Sequence, residues 1–173
     1  MAPLLAAALL LLPRLAAPRL SVRYFAYGSN MAAAVLTGVR RISPLEKRCG
    51  VVRDHRLAFT VPGFALEPSF ASCDPAKGER LHGVCYSLTL ADWLRLCASE
   101  GVPAAYRVTT VDVHCYDGAE LPAYTLSAAL PLPVSLPPSR RYLNLLRQGA
   151  REAGLDPEWQ RKLEEMEPFF LSV

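Results

Sequence analysis

The 173-residue chain has only three histidines and lacks the short motifs of the commonest catalytic sites. It contains no G-x-S-x-G nucleophile elbow, no G-x-x-x-x-G-K phosphate loop and no G-x-G-x-x-G dinucleotide motif. Each histidine is predicted to lie in a strand, and none forms a metal-ligand pair with a histidine or cysteine on one face of a helix, so the sequence predicts no metal site. These absences argue against a serine hydrolase, a nucleotide-binding enzyme and a histidine-bound metal centre.

The cysteines are few, odd in number and never spaced as C-x-x-C, which disfavours both a disulfide framework and a zinc site. Several lie in apolar stretches, where a reduced cysteine behaves as a small hydrophobic residue. We therefore expect free thiols and a reducing compartment. The five residues are Cys49, Cys73, Cys85, Cys97 and Cys115.

Charge is also scarce, and the formal net charge of +3 is too small to predict a nucleic-acid partner. No Asp or Glu precedes Glu46, and the segment from Leu4 to Leu12 contains only Ala and Leu. That run is shorter than the roughly 20 residues of a membrane span, so no integral span is predicted. Residues 1–21 are interpreted as a targeting leader or a disordered extension, and residues 22–173 as one domain. The expected location is cytoplasmic, or an organelle if residues 1–21 are a transit peptide.

Strand-like segments come first in the domain and helical ones last, which predicts an α+β fold with a mixed or antiparallel sheet. Prolines and glycines predict a loop over residues 61–80, with a short strand near 70–72. Residues 31–36 are predicted to be helical with Asn30 as their N-cap. Clearer helix starts are predicted at Thr89, Ser139 and Asp156, and Gly154 is expected to end the helix that Ser139 begins. A slip in the apolar alternation of residues 106–115 suggests a bulge or two buried faces.

Two features carry possible chemistry, although each is weak by itself. The β-prone segment Tyr24-Phe25-Ala26-Tyr27 ends in Gly28-Ser29-Asn30, where backbone N–H groups can converge on an anion. Glu100 stands directly before Gly101, at the end of a predicted helix, where a lone glutamate is usually solvated. The pairs Arg40-Arg41 and Lys47-Arg48 are interpreted as a solvated face.

Four blocks, in their order and spacing, resemble the gamma-glutamylcyclotransferases over about residues 22–168. They are Tyr24 to Met31, then Leu81-His82-Gly83-Val84-Cys85-Tyr86, then Glu100-Gly101-Val102, and finally Pro138-Ser139-Arg140-Arg141-Tyr142-Leu143 with Gly149-Ala150 and Gly154-Leu155. The resemblance implies a barrel-like mixed β-sheet with flanking helices and no metal or organic cofactor. It implies conversion of a γ-glutamyl amino acid to 5-oxoproline and a free amino acid.

The resemblance also implies roles for individual residues. Glu100 matches the family's catalytic glutamate and would act as general acid and base. Tyr24, Phe25, Ala26, Tyr27, Gly28 and Ser29 match its substrate-contacting segment, and Tyr124 matches a tyrosine expected to contact the glutamyl moiety. Residues 61–75 differ between branches of the family and are expected to border the leaving group.

The sequence leaves alternatives open for the substrate and for the activity itself. The same chemistry could act on glutathione or a γ-glutamylamine, or the domain could be a non-catalytic binding module of the same fold. The expected partner is a small γ-glutamyl compound, and the family precedent suggests a homodimer.

Overall fold

The computed structural model describes residues 20–170, which form a closed five-stranded barrel flanked by helices. The strands are β1 (Ser21–Ala26), β2 (Glu46–Phe64), β3 (Glu67–Thr89), β4 (Tyr106–Cys115) and β5 (Glu120–Ala128). The helices are α1 (Leu90–Ser99), α2 (Arg140–Ala153) and α3 (Pro157–Glu164). A 3-10 turn (Ser29–Met31) and a π-helical segment (Ala34–Val39) follow β1.

The barrel closes because β1 pairs on both of its edges. It is antiparallel to β3 and parallel to β5, where Tyr24 is opposite Tyr124, and the strand order is β1-β3-β2-β4-β5. The other pairings are antiparallel, so the sheet is mixed. The predicted α+β class and the barrel-like mixed sheet with flanking helices are confirmed.

The predicted loop over residues 61–80 is wrong, because β2 and β3 form one long hairpin that turns at residues 65–66. Pro62 and Pro75 are accommodated in paired positions, opposite Ser69 and His55. The register shifts between Arg53 and His55 and between Ala58 and Val61, which lets these long strands bend around the barrel. The irregularities thus lie in the β2–β3 pairing, whereas β4 pairs with β5 without a register break.

The helix starts follow the sequence closely. The side chains of Thr89, Ser139 and Asp156 each accept a hydrogen bond from a backbone N–H in the first turn of their helix. Gly154 ends α2 in the left-handed conformation, at φ 69°. These predicted caps are confirmed, and they determine the residues at which α1 and α2 begin.

Phe25, Leu81 and Val113 are fully buried at the centre of the apolar core. All five cysteines are free. No helix within residues 20–170 is both long and apolar enough to cross a membrane. Most of the predicted leader, residues 1–19, lies outside the described residues.

Candidate active site

Glu100 lies at the C-terminal end of α1, where Gly101 stops the helix with φ 70°. Its backbone N–H still donates to the Leu96 carbonyl at 3.0 Å, so the residue is held by the helix while its side chain turns into a cavity. The side chain is 13% exposed. A carboxylate this enclosed requires polar partners, since burial of an unpaired charge is costly.

Asn30 and Arg40 are those partners, and both bind the same carboxylate oxygen. Asn30 Nδ2 donates to Glu100 Oε1 at 2.7 Å, and Arg40 Nη2 donates to it at 2.6 Å. Arg40 Nε also donates to Asn30 Oδ1 at 2.6 Å, so the three side chains form a closed triangle. Within residues 20–170 no hydrogen bond reaches Glu100 Oε2. One oxygen is therefore fixed while the other is available to a bound molecule.

Two expectations from the sequence are wrong here. Asn30 does not cap a helix with its side chain, because that amide is committed to Glu100, to Arg40 and to the Tyr24 hydroxyl at 2.9 Å. Arg40 does not belong to a solvated face, because its side chain is only 14% exposed and forms an ion pair with Glu100.

Four tyrosines from separate elements line the same cavity, namely Tyr24, Tyr27, Tyr106 and Tyr142. Tyr27 donates to the Leu126 carbonyl, and Tyr106 donates to the Ala71 carbonyl at 3.0 Å. The Ala71 N–H donates to the Tyr142 hydroxyl at 3.2 Å. The cavity wall therefore carries phenol groups whose positions are fixed by the barrel backbone.

Burial keeps these phenols protonated at neutral pH. Desolvation raises the pKa of Tyr24 far above its ordinary value, and the nearby Glu100 charge adds to that rise. Desolvation also raises the pKa of Tyr142 to about 12, although hydrogen bonding to Ala71 and Ser29 opposes the shift. The tyrosines can thus act as neutral hydrogen-bond groups toward a polar ligand.

The turn after β1 adds backbone donors to this wall. The Met31 and Ala32 N–H groups are used inside the turn, on the Gly28 and Ser29 carbonyls. The N–H groups of Gly28 and Asn30 have no acceptor in the part of the chain that the structure describes. Gly28, Ser29 and Asn30 all line the cavity, so this turn can offer N–H groups to an anionic or carbonyl oxygen.

The site has two adjoining spaces. The inner cavity has a volume of about 20 Å³, room for about one water-sized group, and holds the polar groups already described. A wider groove of about 380 Å³ shares Ser29, Glu100, Tyr106 and Tyr142 with it. Among the described residues no group of three or more His, Cys, Asp or Glu side chains could hold a metal ion.

Most of the residues predicted for the site come together in this cavity. Glu100, Tyr24, Tyr27, Gly28 and Ser29 all line it. The signals for these residues were the turn chemistry after β1 and the family resemblance.

Three other predicted residues lie elsewhere. The side chains of Phe25 and Ala26 are fully buried in the core, so they support the strand and do not line the cavity. Tyr124 is 43% exposed and lines a separate depression beside Arg23. Its ring stacks on Trp93 at 5.7 Å, which holds it against α1 and away from the cavity.

Sequence reasoning missed Asn30, Arg40, Tyr106 and Tyr142 as members of the site. Tyr142 was part of the block Pro138 to Leu143, but the resemblance gave it no role in the site. Tyr106 follows the Glu100-Gly101 turn closely, and that proximity was its only signal in the sequence.

Known proteins are similar to this chain in both sequence and architecture. Residues 80–163 match the AIG2-like family. The chain is 33% identical over 160 residues to gamma-glutamyl cyclotransferase gliK of Aspergillus fumigatus, covering 78% of this chain and 58% of that protein. It is 30% identical over 152 residues to the gamma-glutamylcyclotransferase of Mus musculus, covering 84% of this chain and 78% of the mouse protein.

The chain belongs to the gamma-glutamylcyclotransferase family. A solved gamma-glutamyl cyclotransferase structure superposes with a TM-score of 0.78 at 25% identity, covering 89% of this chain and 92% of that one. The chain spans about three-fifths of the length of the Aspergillus relatives it matches. The family match thus covers the barrel and the helices that build the candidate site.

Proposed function

We propose that this gamma-glutamylcyclotransferase family member converts a γ-glutamyl amino acid to 5-oxoproline and a free amino acid. The observation that carries the proposal is the Glu100 carboxylate, held through one oxygen by Asn30 and Arg40 and open at the other. The resemblance that assigns Glu100 the acid–base role, and relatives that bear this activity in their names, support the same conclusion.

The reaction needs no nucleophile from the protein. The α-amine of the substrate attacks its own γ-carbonyl carbon, and folding the chain into a ring-closing conformation supplies much of the rate. A free α-amine is required, because the ammonium form has no lone pair to attack with. Glu100 Oε2 would remove that proton.

Attack converts the γ-carbonyl into a tetrahedral centre with a negative oxygen. The N–H groups of Gly28 and Asn30 would donate to this oxygen or to the substrate's α-carboxylate, as would the hydroxyls of Tyr24 and Tyr142, which accept hydrogen bonds from Asn30 and Ala71. Collapse breaks the bond between the γ-carbon and the departing nitrogen. The α-nitrogen loses two protons over the reaction and the departing nitrogen gains two, so Glu100 shuttles protons between them and ends in its starting state.

The deciding experiment measures 5-oxoproline release from γ-glutamyl-alanine, glutathione and γ-glutamyl-ε-lysine by the wild type and the Glu100→Gln variant. Glutamine keeps an oxygen that can accept from Asn30 and Arg40, so the fold should be retained. General acid–base catalysis contributes about 100-fold to 10,000-fold, so turnover should fall at least about 100-fold. Near-full turnover by Glu100→Gln would overturn the role of this residue.

The binding-module alternative has its own outcome in this assay. If no γ-glutamyl compound reacts with the wild type but one binds in calorimetry, the domain is a binder and the proposed activity is wrong. The homodimer, the cytoplasmic or organellar location and the role of residues 1–21 stay predictions. Light scattering and N-terminal sequencing of the native protein would test them.

A further inference from the structure

The groove beside the inner cavity has mostly apolar walls. It is continuous with the candidate site, because Ser29, Glu100, Tyr106 and Tyr142 line both spaces. Beyond those residues its walls are formed mainly by the π-helical segment, the β2–β3 hairpin and α2, and Arg40, Ser99 and Ala105 complete them. The larger apolar lining residues are Val35, Val39, Val61, Pro62, Phe70 and Leu145.

The two cations of the groove are already paired. Arg40 is bound to Glu100, and Arg141 donates through Nη2 to Glu67 Oε2 at 2.7 Å and through Nε to the other oxygen. Glu67 is itself buried, and Arg141 lowers its pKa, so the Arg141–Glu67 pair is a fixed feature of the wall. A negatively charged ligand would find no unpaired cation among the described lining residues.

The groove is bordered by a packed aromatic contact and is large enough for a small molecule. Phe70 packs edge-on against Tyr142, with ring centroids 5.1 Å apart, so the hairpin and α2 contact each other beside the groove. The volume of about 380 Å³ falls within the range of small-molecule sites, about 300–1,000 Å³. Because the inner cavity has room for about one water-sized group, the groove also has to admit part of the glutamyl half, and its volume leaves room for a side chain beyond the departing nitrogen.

We propose that this groove holds the departing amine half of the substrate and selects γ-glutamyl compounds whose amine half is a large apolar group, aromatic or branched aliphatic. This inference rests on the proposed cyclotransfer activity. With the reacting carbonyl beside Glu100, the departing nitrogen faces the groove that shares Glu100, and its side chain extends along the apolar walls. The α-carboxylate that every amino-acid amine half carries would stay in solvent at the open side of the groove. A second carboxylate in the side chain is disfavoured, because along the apolar walls it would lose hydration without gaining a free cation.

The first test compares 5-oxoproline release from γ-glutamyl-phenylalanine, γ-glutamyl-leucine, γ-glutamyl-alanine and γ-glutamyl-glutamate. We expect kcat/KM for the phenylalanine and leucine compounds to exceed that for the alanine compound by about tenfold, the lower end of what added apolar contacts give in a hydrophobic pocket. The glutamate compound should be the poorest. If the glutamate or alanine compound reacts as well as the phenylalanine compound, the specificity inference is wrong and the proposed activity stands. If none of the four reacts, both fail.

The second test changes the groove without touching the acid–base residues. Val39 lines the groove and is 77% exposed, so Val39→Glu places a charge on its wall with little risk to folding. The matched control is Val134→Glu, since Val134 is 62% exposed and lies outside the groove lining. We expect Val39→Glu to raise KM for γ-glutamyl-phenylalanine about tenfold, with a smaller rise for γ-glutamyl-alanine, whose methyl group extends less far along the groove. An unchanged KM in Val39→Glu, or an equal rise in Val134→Glu, would overturn the proposed path of the amine half.

Discussion

The Gly149→Ala variant tests whether α2 positions the turn that carries Ser29 and Asn30. Gly149 is buried in α2, and a Cβ there would lie 2.6 Å from the Ala32 nitrogen and 2.7 Å from both the carbonyl carbon and Cβ of Met31. The nearest of these atoms belong to the backbone, so the added methyl cannot be relieved by rotating a side chain. Alanine would therefore push α2 and the turn apart.

Two opposing effects set the change in unfolding free energy of Gly149→Ala. Alanine in a helix interior gains about 1 kcal/mol over glycine from propensity. Overpacking costs about 1–3 kcal/mol, and contact with backbone atoms places this site at the upper end. The net loss of unfolding free energy should be about 2 kcal/mol, which at roughly 2–4 °C per kcal/mol lowers the Tm by about 4–8 °C. Turnover should fall as well, since the displaced turn carries Asn30 away from Glu100.

Urea unfolding gives the free energy, calorimetry gives the Tm, and 5-oxoproline release gives the activity. Gly38→Ala is the matched control, because its Cβ would meet only the Ala33 carbonyl oxygen at 3.9 Å, an ordinary contact. The control should be as stable as the wild type or gain up to about 1 kcal/mol. A Gly149→Ala protein as stable as the wild type would refute the close approach of α2 to the turn.

Three further predictions concern charged and titrating groups. Arg40→Met should lose about 2 kcal/mol of unfolding free energy and most of its turnover, because the variant removes a charged hydrogen bond to Glu100. Arg41→Met is the control, and equal losses in both variants would contradict the pairing of Arg40 with Glu100. Arg141 lowers the pKa of Glu67 in the folded protein. The contribution of this pair to the unfolding free energy is therefore complete above the unfolded pKa of about 4.3 and is lost as pH falls through the lower folded pKa. The stability gap between the wild type and Glu67→Gln should therefore shrink from pH 6 to pH 3 in urea unfolding, and a constant gap would refute it. Burial lowers the pKa of His82, which stacks on Trp159 at 5.1 Å, so its contribution is complete above the unfolded pKa of about 6.5 and declines below it. The Tm of His82→Phe should therefore fall less than that of the wild type between pH 7.5 and pH 5.5. An equal fall in both proteins would show that other groups cause the pH dependence of the Tm.

The sequence predicted the local features of the fold well and its long-range contacts poorly. The caps at Thr89, Ser139 and Asp156 depend on a side chain and a backbone group within one turn, so their signals are contained in a few residues. The β2–β3 hairpin was missed because Pro62 and Pro75 are turn signals in isolation, whereas the barrel accommodates them at bends of long strands.

In the candidate site too, short motifs could be found from the sequence and long-range contacts could not. Glu100 and the Gly28-Ser29 turn could be found from short motifs and a family resemblance. The partners of Glu100 could not, because Asn30 is 70 residues and Arg40 is 60 residues away from it in the chain. No local pattern distinguishes an arginine paired across that distance from one in solvent.

The double pairing of β1 also bears on how the protein is made. The segment that carries Tyr24 and the Gly28 turn is synthesised before its partner β5, which follows about 100 residues later, as the bond from Thr125 to the Phe25 carbonyl illustrates. At roughly 5–20 residues per second, the edge of β1 that pairs with β5 stays unpaired for about 5–20 s of synthesis. Tyr142 of α2 emerges later still, so cavity formation has to be among the last events of biosynthesis. Until β5 has been made, that edge of β1 is open to pairing with other chains.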